Sequence, residues 1–266
     1  MHHSPRLFSA SKALIADYIE YLRQVDKELP SLNEIFPKSG TVEDVIAFHT
    51  SLCAAMEENA YSFIGIKVLP PGHEAVATLR ATKLVCLPVF SNFFQRKSVS
   101  VKQDRLQYVE GVVCLEVRDL LEGCGTVDGA THNTVAFAPG IAVSGSRFPF
   151  YAPTISAMAC DLDGCVSIAK GANNSLDDVR RDVMESTRFV LTLDQEPIQT
   201  GSLKMCADSP YTVVAAAAAY AKAIKAPARK SSFVFCSGVC PRTPIQAGTY
   251  AFEWGRWGRL KYSVLP

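Results

Sequence analysis

Apolar positions repeat along this chain with two periods, and the change between them marks its elements. Over residues 11–25, Leu14, Ile15, Tyr18, Ile19, Leu22 and Val25 recur at three- and four-residue steps, with Lys12, Asp17, Glu20 and Arg23 opposite, the pattern of an amphipathic helix. A polar, proline-containing link over 27–40 follows. Thr41-Val-Glu-Asp44 then has the form of a capping box, with Asp in place of the preferred Glu or Gln, and opens a second helix to about Asn59. Val45, Ile46, His49, Leu52, Cys53 and Met56 form its inward face, so His49 reads as a satisfied core group. Beyond residue 60 the period falls to two. Strands are predicted over 61–68, 108–120, 140–144, 156–160, 166–169, 233–236, 250–254 and 260–264, and a hairpin pairs 189–193 with 196–201 around Asp194-Gln195. Pro70-Pro-Gly72 ends the first strand, and a short helix fits 72–82. One later stretch is helical: Ser209 caps it, Pro210 takes its first position, and 211–225 carries an alanine run that can lie close on a sheet. The pattern describes an α+β chain with an N-terminal helical segment, residues 1–60, and a β-rich body, residues 61–266.

Composition narrows the class. With 266 residues, 48% of them hydrophobic, the chain can bury a sizeable core. Its 27 Lys and Arg against 26 Asp and Glu leave a net charge of +1, so nothing in the whole-chain charge draws it to nucleic acid or an anionic membrane. No apolar run reaches the roughly 18 residues of a transmembrane helix, and no membrane span is expected. The C-terminal end is locally basic through Arg229, Lys230, Arg242, Arg256, Arg259 and Lys261, with Trp254 and Trp257 alongside. Contact with single-stranded RNA through these basic turns is one reading; charged turn tips on a β-rich domain are the plainer one. The nine cysteines are odd in number and scattered. The closest pair, Cys236 and Cys240, has no neighbouring His and no second pair at zinc spacing, so all nine read as reduced, mostly buried residues of an intracellular protein. Residues 1–16 contain no acid and carry His2, His3, Arg6 and Lys12, which resembles a mitochondrial presequence; the expected location is mitochondrial, otherwise cytoplasmic. Residues 173–188 interleave both charge signs, as in a solvated helix or an insertion at a protein interface.

Several ordered blocks resemble the 2-keto-4-pentenoate hydratase branch of the fumarylacetoacetate hydrolase superfamily. Phe63-Ile-Gly-Ile-Lys67-Val is similar to that family's Gly-x-Lys-Val-Gly strand, and Pro88-Val-Phe-Ser-Asn-Phe-Phe94 to its Pro-Asp-Phe-Gly-x-Leu-Phe. Val109-Glu-Gly-Val-Val-Cys-Leu resembles its (Val/Ile)-Glu-Ala-Glu-Ile-Ala, and Pro139-Gly-Ile-Ala-Val-Ser-Gly-Ser-Arg147 its Pro-Ala-Leu-Glu-Val-x-x-Ser-Arg. Phe233-Val-Phe-Cys-Ser-Gly238 and Ile245-Gln-Ala-Gly-Thr-Tyr-Ala-Phe complete the series. The resemblance spans residue 61 to the C-terminus. It implies a fumarylacetoacetate-hydrolase-like mixed β-sheet roll with N-terminal helices.

The same blocks imply that most of the family's chemistry is gone. Members of the family hold Mg²⁺ or Mn²⁺ with three carboxylates. Here the first position falls on Glu110, the second on Val112 and the third on Ala142, while the acid of Pro-Asp-Phe falls on Val89. Lys67 and the Ser-Arg pair ending at Arg147 are kept. Glu116 shares a strand face with Glu110 but lies six residues away, roughly 20 Å, too far to share one cation. The vestigial site candidates are therefore Lys67, Glu110 and Arg147, with no metal or other cofactor expected. For Glu110 alone, the plainer reading is a rim residue that reaches water. For Lys67 it is a snorkelling surface lysine or a partner for Glu110. His73 and Glu74 are adjacent and point apart. Asp161-Leu-Asp-Gly164 lacks the later ligands of a calcium loop and reads as a turn.

Two functions fit these observations. The first is a catalytically inactive, hydratase-like protein that serves as a structural or assembly subunit of a larger mitochondrial complex, with other protein subunits as partners and a homo-oligomer left open. The second is a lyase of the hydratase or decarboxylase type, acting on a small 2-keto acid through an altered, metal-poor site; Mg²⁺ or Mn²⁺ is retained only there.

Overall fold

The protein is represented by a computed structural model that describes residues 12–23, 41–96, 98–102, 105–145, 154–176 and 186–266. Two helices lead, α1 (Lys12–Arg23) and α2 (Val42–Glu58). The capping box is present: the Thr41 hydroxyl accepts from the Asp44 N–H at 3.2 Å, and the Asp44 carboxylate accepts from the Thr41 N–H at 2.9 Å. Ile15, Tyr18 and Ile19 of α1 are buried, as are Phe48, Leu52 and Met56 of α2. His49 is a core group. Its Nε2 lies 2.9 Å from the Ala159 carbonyl and its Nδ1 2.6 Å from the Tyr220 hydroxyl, a neutral ring with both nitrogens used. Burial drives its pKa down to about 4.

The body holds β1 (Phe63–Leu69), α3 (Glu74–Ala77), β2 (Val85–Phe90), β3 (Ser98–Ser100), β4 (Leu106–Arg118), α4 (Leu120–Gly123), α5 (Val127–Asn133) and β5 (Thr134–Gly145). There follow α6 (Ile155–Cys160), β6 (Cys165–Lys170), β7 (Asn174–Ser175), β8 (Arg188–Leu193), β9 (Glu196–Ser202) and α7 (Pro210–Ala223). The chain closes with β10 (Ser231–Cys236), β11 (Thr243–Pro244), β12 (Gly248–Glu253) and β13 (Arg259–Leu265). One sheet runs β2-β1-β10-β4-β5-β6, with β11 beside β4 and β7 beside β5; the other runs β3-β13-β12-β8-β9. Only the β1–β10 and β13–β3 pairs are parallel among the described strands. The sheets meet where β12 and β13 face β5 and β8 faces β4, and a Cβ on Gly111 of β4 would come within 2.1 Å of the Phe252 ring of β12. Glycine is what lets that ring lie on the strand. α7, opened by Ser209 and Pro210 as predicted, buries Ala217, Ala218 and Ala221 and packs on β1, β2 and β10. The result is the α+β roll with N-terminal helices expected from the sequence.

Four local expectations are corrected. Residues 156–160 are helical, not extended: Thr154 caps α6 by accepting from the Ala157 N–H at 3.1 Å, and the alanines favour the helix once it is capped. The helix after Pro70-Pro-Gly72 spans one turn only. The strand predicted over 108–120 stops at Arg118, because Asp119 takes a left-handed conformation, φ 45°. The strand at 140–144 is the end of the longer β5, preceded by the unpredicted α5. Of the charged stretch 173–188, Asn174 and Ser175 pair with β5, and 177–185 lie outside the described residues. No helix among the described residues is long and apolar enough to cross a membrane. All nine cysteines are buried thiols.

Candidate functional site

The sheet register opens a gap that side chains fill. β10 lies between β1 and β4, pairing Lys67 with Phe235 on one side and Phe235 with Cys114 on the other. It ends at Cys236, opposite Val113. Glu110 is three residues further along β4, beyond that end. The chain leaves the sheet over 237–242 and rejoins it as β11, opposite Val109 and Tyr108. Polar side chains converge where it is absent.

Lys67 spans the gap. Its Nζ lies 2.9 Å from Glu110 Oε1 and 2.9 Å from Asp163 Oδ2. Asp163 comes from the tight turn before β6, with φ 55°. Arg242, just ahead of β11, places a guanidinium nitrogen against the same Asp163 oxygen and 3.8 Å from Glu110 Oε1. The Ser237 hydroxyl donates to Glu110 Oε1 at 3.3 Å. His73, the cap of α3, has its Nε2 2.9 Å from Glu110 Oε2. Its Nδ1 accepts from the Ala75 N–H at 3.3 Å, which assigns the proton to Nε2 and leaves the ring neutral. The charged side chains of the cluster are between 1% and 7% exposed.

The charges balance: two cations, two anions and a neutral imidazole. Burial alone would favour neutral forms, but the partners outweigh it. Burial raises the Glu110 carboxyl, yet Lys67, His73 and Arg242 bring it well below the ordinary carboxylate range. Asp163 is lowered in the same way, chiefly by Arg242 and then Lys67. Lys67 is raised against its own desolvation by Asp163 and Glu110, and Arg242 likewise. The arrangement is a closed ion-pair network tying β1, β4, the turn before β6 and the 237–242 segment together.

Several sequence expectations change here. Glu110 does not reach water; it is 1% exposed. Lys67 does not snorkel and is paired with Glu110 as well as Asp163. Val112 and Ala142 are buried apolar residues, and Ala142 sits directly across from Glu110 in the sheet. Val89 is buried too. Arg147 lies outside the described residues. His73 and Glu74 do point apart, His73 into the cluster and Glu74 to solvent. Glu116 lies away from the cluster and accepts from Asn173 and Ser231. Asp163, Arg242 and Ser237 are members that sequence reasoning missed. The turn Asp161-Leu-Asp-Gly164 was legible as a turn, but nothing in its spacing points to Lys67, 96 residues away.

The donor set does not fit a divalent cation as it stands. A hard cation draws six or more oxygens to about 2.0–2.6 Å. The converging oxygens, Glu110 Oε1 and Asp163 Oδ2, already face an ammonium and a guanidinium, and Ala142, paired with Glu110 across the sheet, offers no side-chain ligand. No group of three or more His, Cys, Asp and Glu suited to a metal occurs among the described residues.

The chain is 40% identical over 260 residues, 96% of each chain, to a protein of Trypanosoma brucei brucei (strain 927/4 GUTat10.1) called REH2-associated factor 2. No protein-family model matches it. Among solved structures, 4-oxalocrotonate decarboxylase from Pseudomonas putida G7, complexed with calcium and acetate, superposes with a TM-score of 0.80, covering 98% of this chain and 100% of that one at 15% identity. A putative fumarylacetoacetate hydrolase family protein from Yersinia pestis CO92 covers 76% of this chain and 94% of its own with a TM-score of 0.55 and 8% identity. At such identities the structural likeness establishes the fold, that of the fumarylacetoacetate hydrolase superfamily.

Proposed function

Because this chain belongs to the REH2-associated factor 2 family, we propose that it is a non-catalytic factor: a hydratase-like fold kept for binding another protein, as a structural or assembly subunit of a complex. The partner proposed is an REH2 protein, after the name of the relative. The observation that carries the reading is the closed network at the Lys67–Glu110 cluster. Both carboxylates that could take part in metal or acid–base chemistry are spent on Lys67 and Arg242. A general base with its proton site already filled by two internal cations has little left to offer a substrate. The acid-poor start of the chain is the reason for proposing a mitochondrial location, which fractionation of cells expressing the tagged full chain tests.

A direct binding experiment tests the main reading. The purified full chain and the REH2 protein of the same organism are mixed and run by analytical size exclusion. Co-elution is expected, and it is expected to persist when the cluster is neutralised by Lys67→Met with Glu110→Gln.

One observation favours the second reading, a lyase acting on a small 2-keto acid. Arg242 Nε is buried without a hydrogen-bond partner among the described residues, and an unpaired guanidinium N–H is a natural donor to a carboxylate ligand. Turnover of a 2-keto acid by the purified chain, lost in Arg242→Gln, would replace the first reading with this one.

A further inference from the structure

We infer that Arg242 is a built-in counter-ion: with the Lys67 ammonium, its guanidinium supplies from the protein the positive charge that two converging carboxylates would otherwise draw from a divalent cation. Glu110 Oε1 and Asp163 Oδ2 point at one spot, each 2.9 Å from Lys67 Nζ, and His73 Nε2 touches the other Glu110 oxygen at 2.9 Å. Two carboxylate oxygens on one point are hard-cation ligands by type, while His73 Nε2–H is occupied as a donor to Glu110 Oε2 and is not one of the ligands. What closes it is charge. The cluster sums to zero with His73 neutral, so a divalent ion would leave two uncompensated charges among side chains at most 7% exposed. The excluding residue comes from the 237–242 segment, outside both sheets, so the fold supplies it without altering a strand. Arg242 is also braced from behind, its guanidinium 5.6 Å from the Tyr108 ring centre.

Removing Arg242 leaves the cluster with a net charge of −1, and removing Lys67 as well leaves −2, which a divalent ion matches. The inference goes beyond the protein-binding reading and does not depend on it, since it concerns the purified chain alone and is read without a partner. Mn²⁺ is the probe, followed by loss of the free-ion signal in electron paramagnetic resonance and by thermal shift, on wild type, Arg242→Gln and Lys67→Met/Arg242→Gln. Wild type is expected to leave Mn²⁺ free and its melting temperature unmoved. Arg242→Gln is expected to melt lower than wild type, to bind Mn²⁺ about tenfold more tightly or better, and to recover melting temperature as Mn²⁺ is added. Adding Asp163→Asn should abolish that binding. Comparable Mn²⁺ binding by wild type, lost in Glu110→Gln, overturns the inference; so does a folded Arg242→Gln that ignores Mn²⁺. If Arg242→Gln does not fold with or without Mn²⁺, the Asp163→Asn/Arg242→Gln pair decides. Recovery of the fold supports the counter-ion role, and failure to recover overturns it.

Discussion

Replacing Lys67 by Met removes one positive charge from the centre of the site and keeps most of the side-chain volume. Two contacts at 2.9 Å are lost at once, to Glu110 and to Asp163, in a place where the lysine is 1% exposed. Asp163 keeps Arg242. Glu110 keeps the His73 and Ser237 hydrogen bonds, with Arg242 no nearer than 3.8 Å. Breaking one partner out of a buried pair costs roughly 3–5 kcal/mol, and the surviving contacts place this variant at about 3 kcal/mol. In a chain of 266 residues that is a fall of roughly 6–12 °C in melting temperature. Calorimetry or circular dichroism against temperature measures it, with Glu110→Gln and the double variant completing a cycle. The double variant should lose less than the two singles together, by about 1–3 kcal/mol. A Lys67→Met protein within about 1 kcal/mol of wild type is the behaviour of an exposed pair, and it would refute the buried network.

Acid should act on the same groups. Glu110 and Asp163 have folded pKa values below their ordinary ones, so the unfolded chain binds protons first as pH falls. Their contribution is therefore complete above the ordinary carboxylate values of about 4 and is lost as pH falls toward the depressed folded ones. Urea titrations from pH 6 to pH 3 should show an acid limb that is shallower in Glu110→Gln. His49 acts in a higher window. Its pKa drops from 6.5 to about 4 on folding, so stability is full above pH 6.5 and is lost as pH falls toward 4, by about 3 kcal/mol in all. His49→Gln should be less stable at pH 7 but lose stability less steeply across that window; a slope equal to wild type's would place the titrating group elsewhere. Gly111→Val should cost about 1–3 kcal/mol by overpacking, since even a Cβ there meets the Phe252 ring at 2.1 Å, and unchanged unfolding would contradict the sheet-on-sheet contact.

Local signals carried far in this sequence. The Thr41 capping box, the Ser209-Pro210 helix start and the hairpin at Asp194 and Gln195, both at positive φ, are each written in a few adjacent residues. Residues 156–160 misled because Ser156 and the four apolar residues after it are too short a run to show a period, and the Thr154 cap that decides it lies outside the run. The site was half legible. Lys67 and Glu110 stand in strands, where alternation fixes their side. Asp163 and Arg242 come from a turn and a loop, and their pairing across 79 residues depends on how β10 ends and β11 begins. No local pattern encodes that, and a lone acid in a strand looks like a rim residue until its partners are in place.

On the function proposed above, this chain works by binding a protein and not by chemistry at the Lys67–Glu110 cluster. Interferometry of the immobilised full chain against the REH2 protein of the same organism, alongside the Lys67→Met/Glu110→Gln variant, separates the two. A dissociation constant of about 1 μM or tighter is expected for both proteins. An absence of binding, in a folded chain that turns over a 2-keto acid and loses that activity with the cluster, would overturn the protein-binding role.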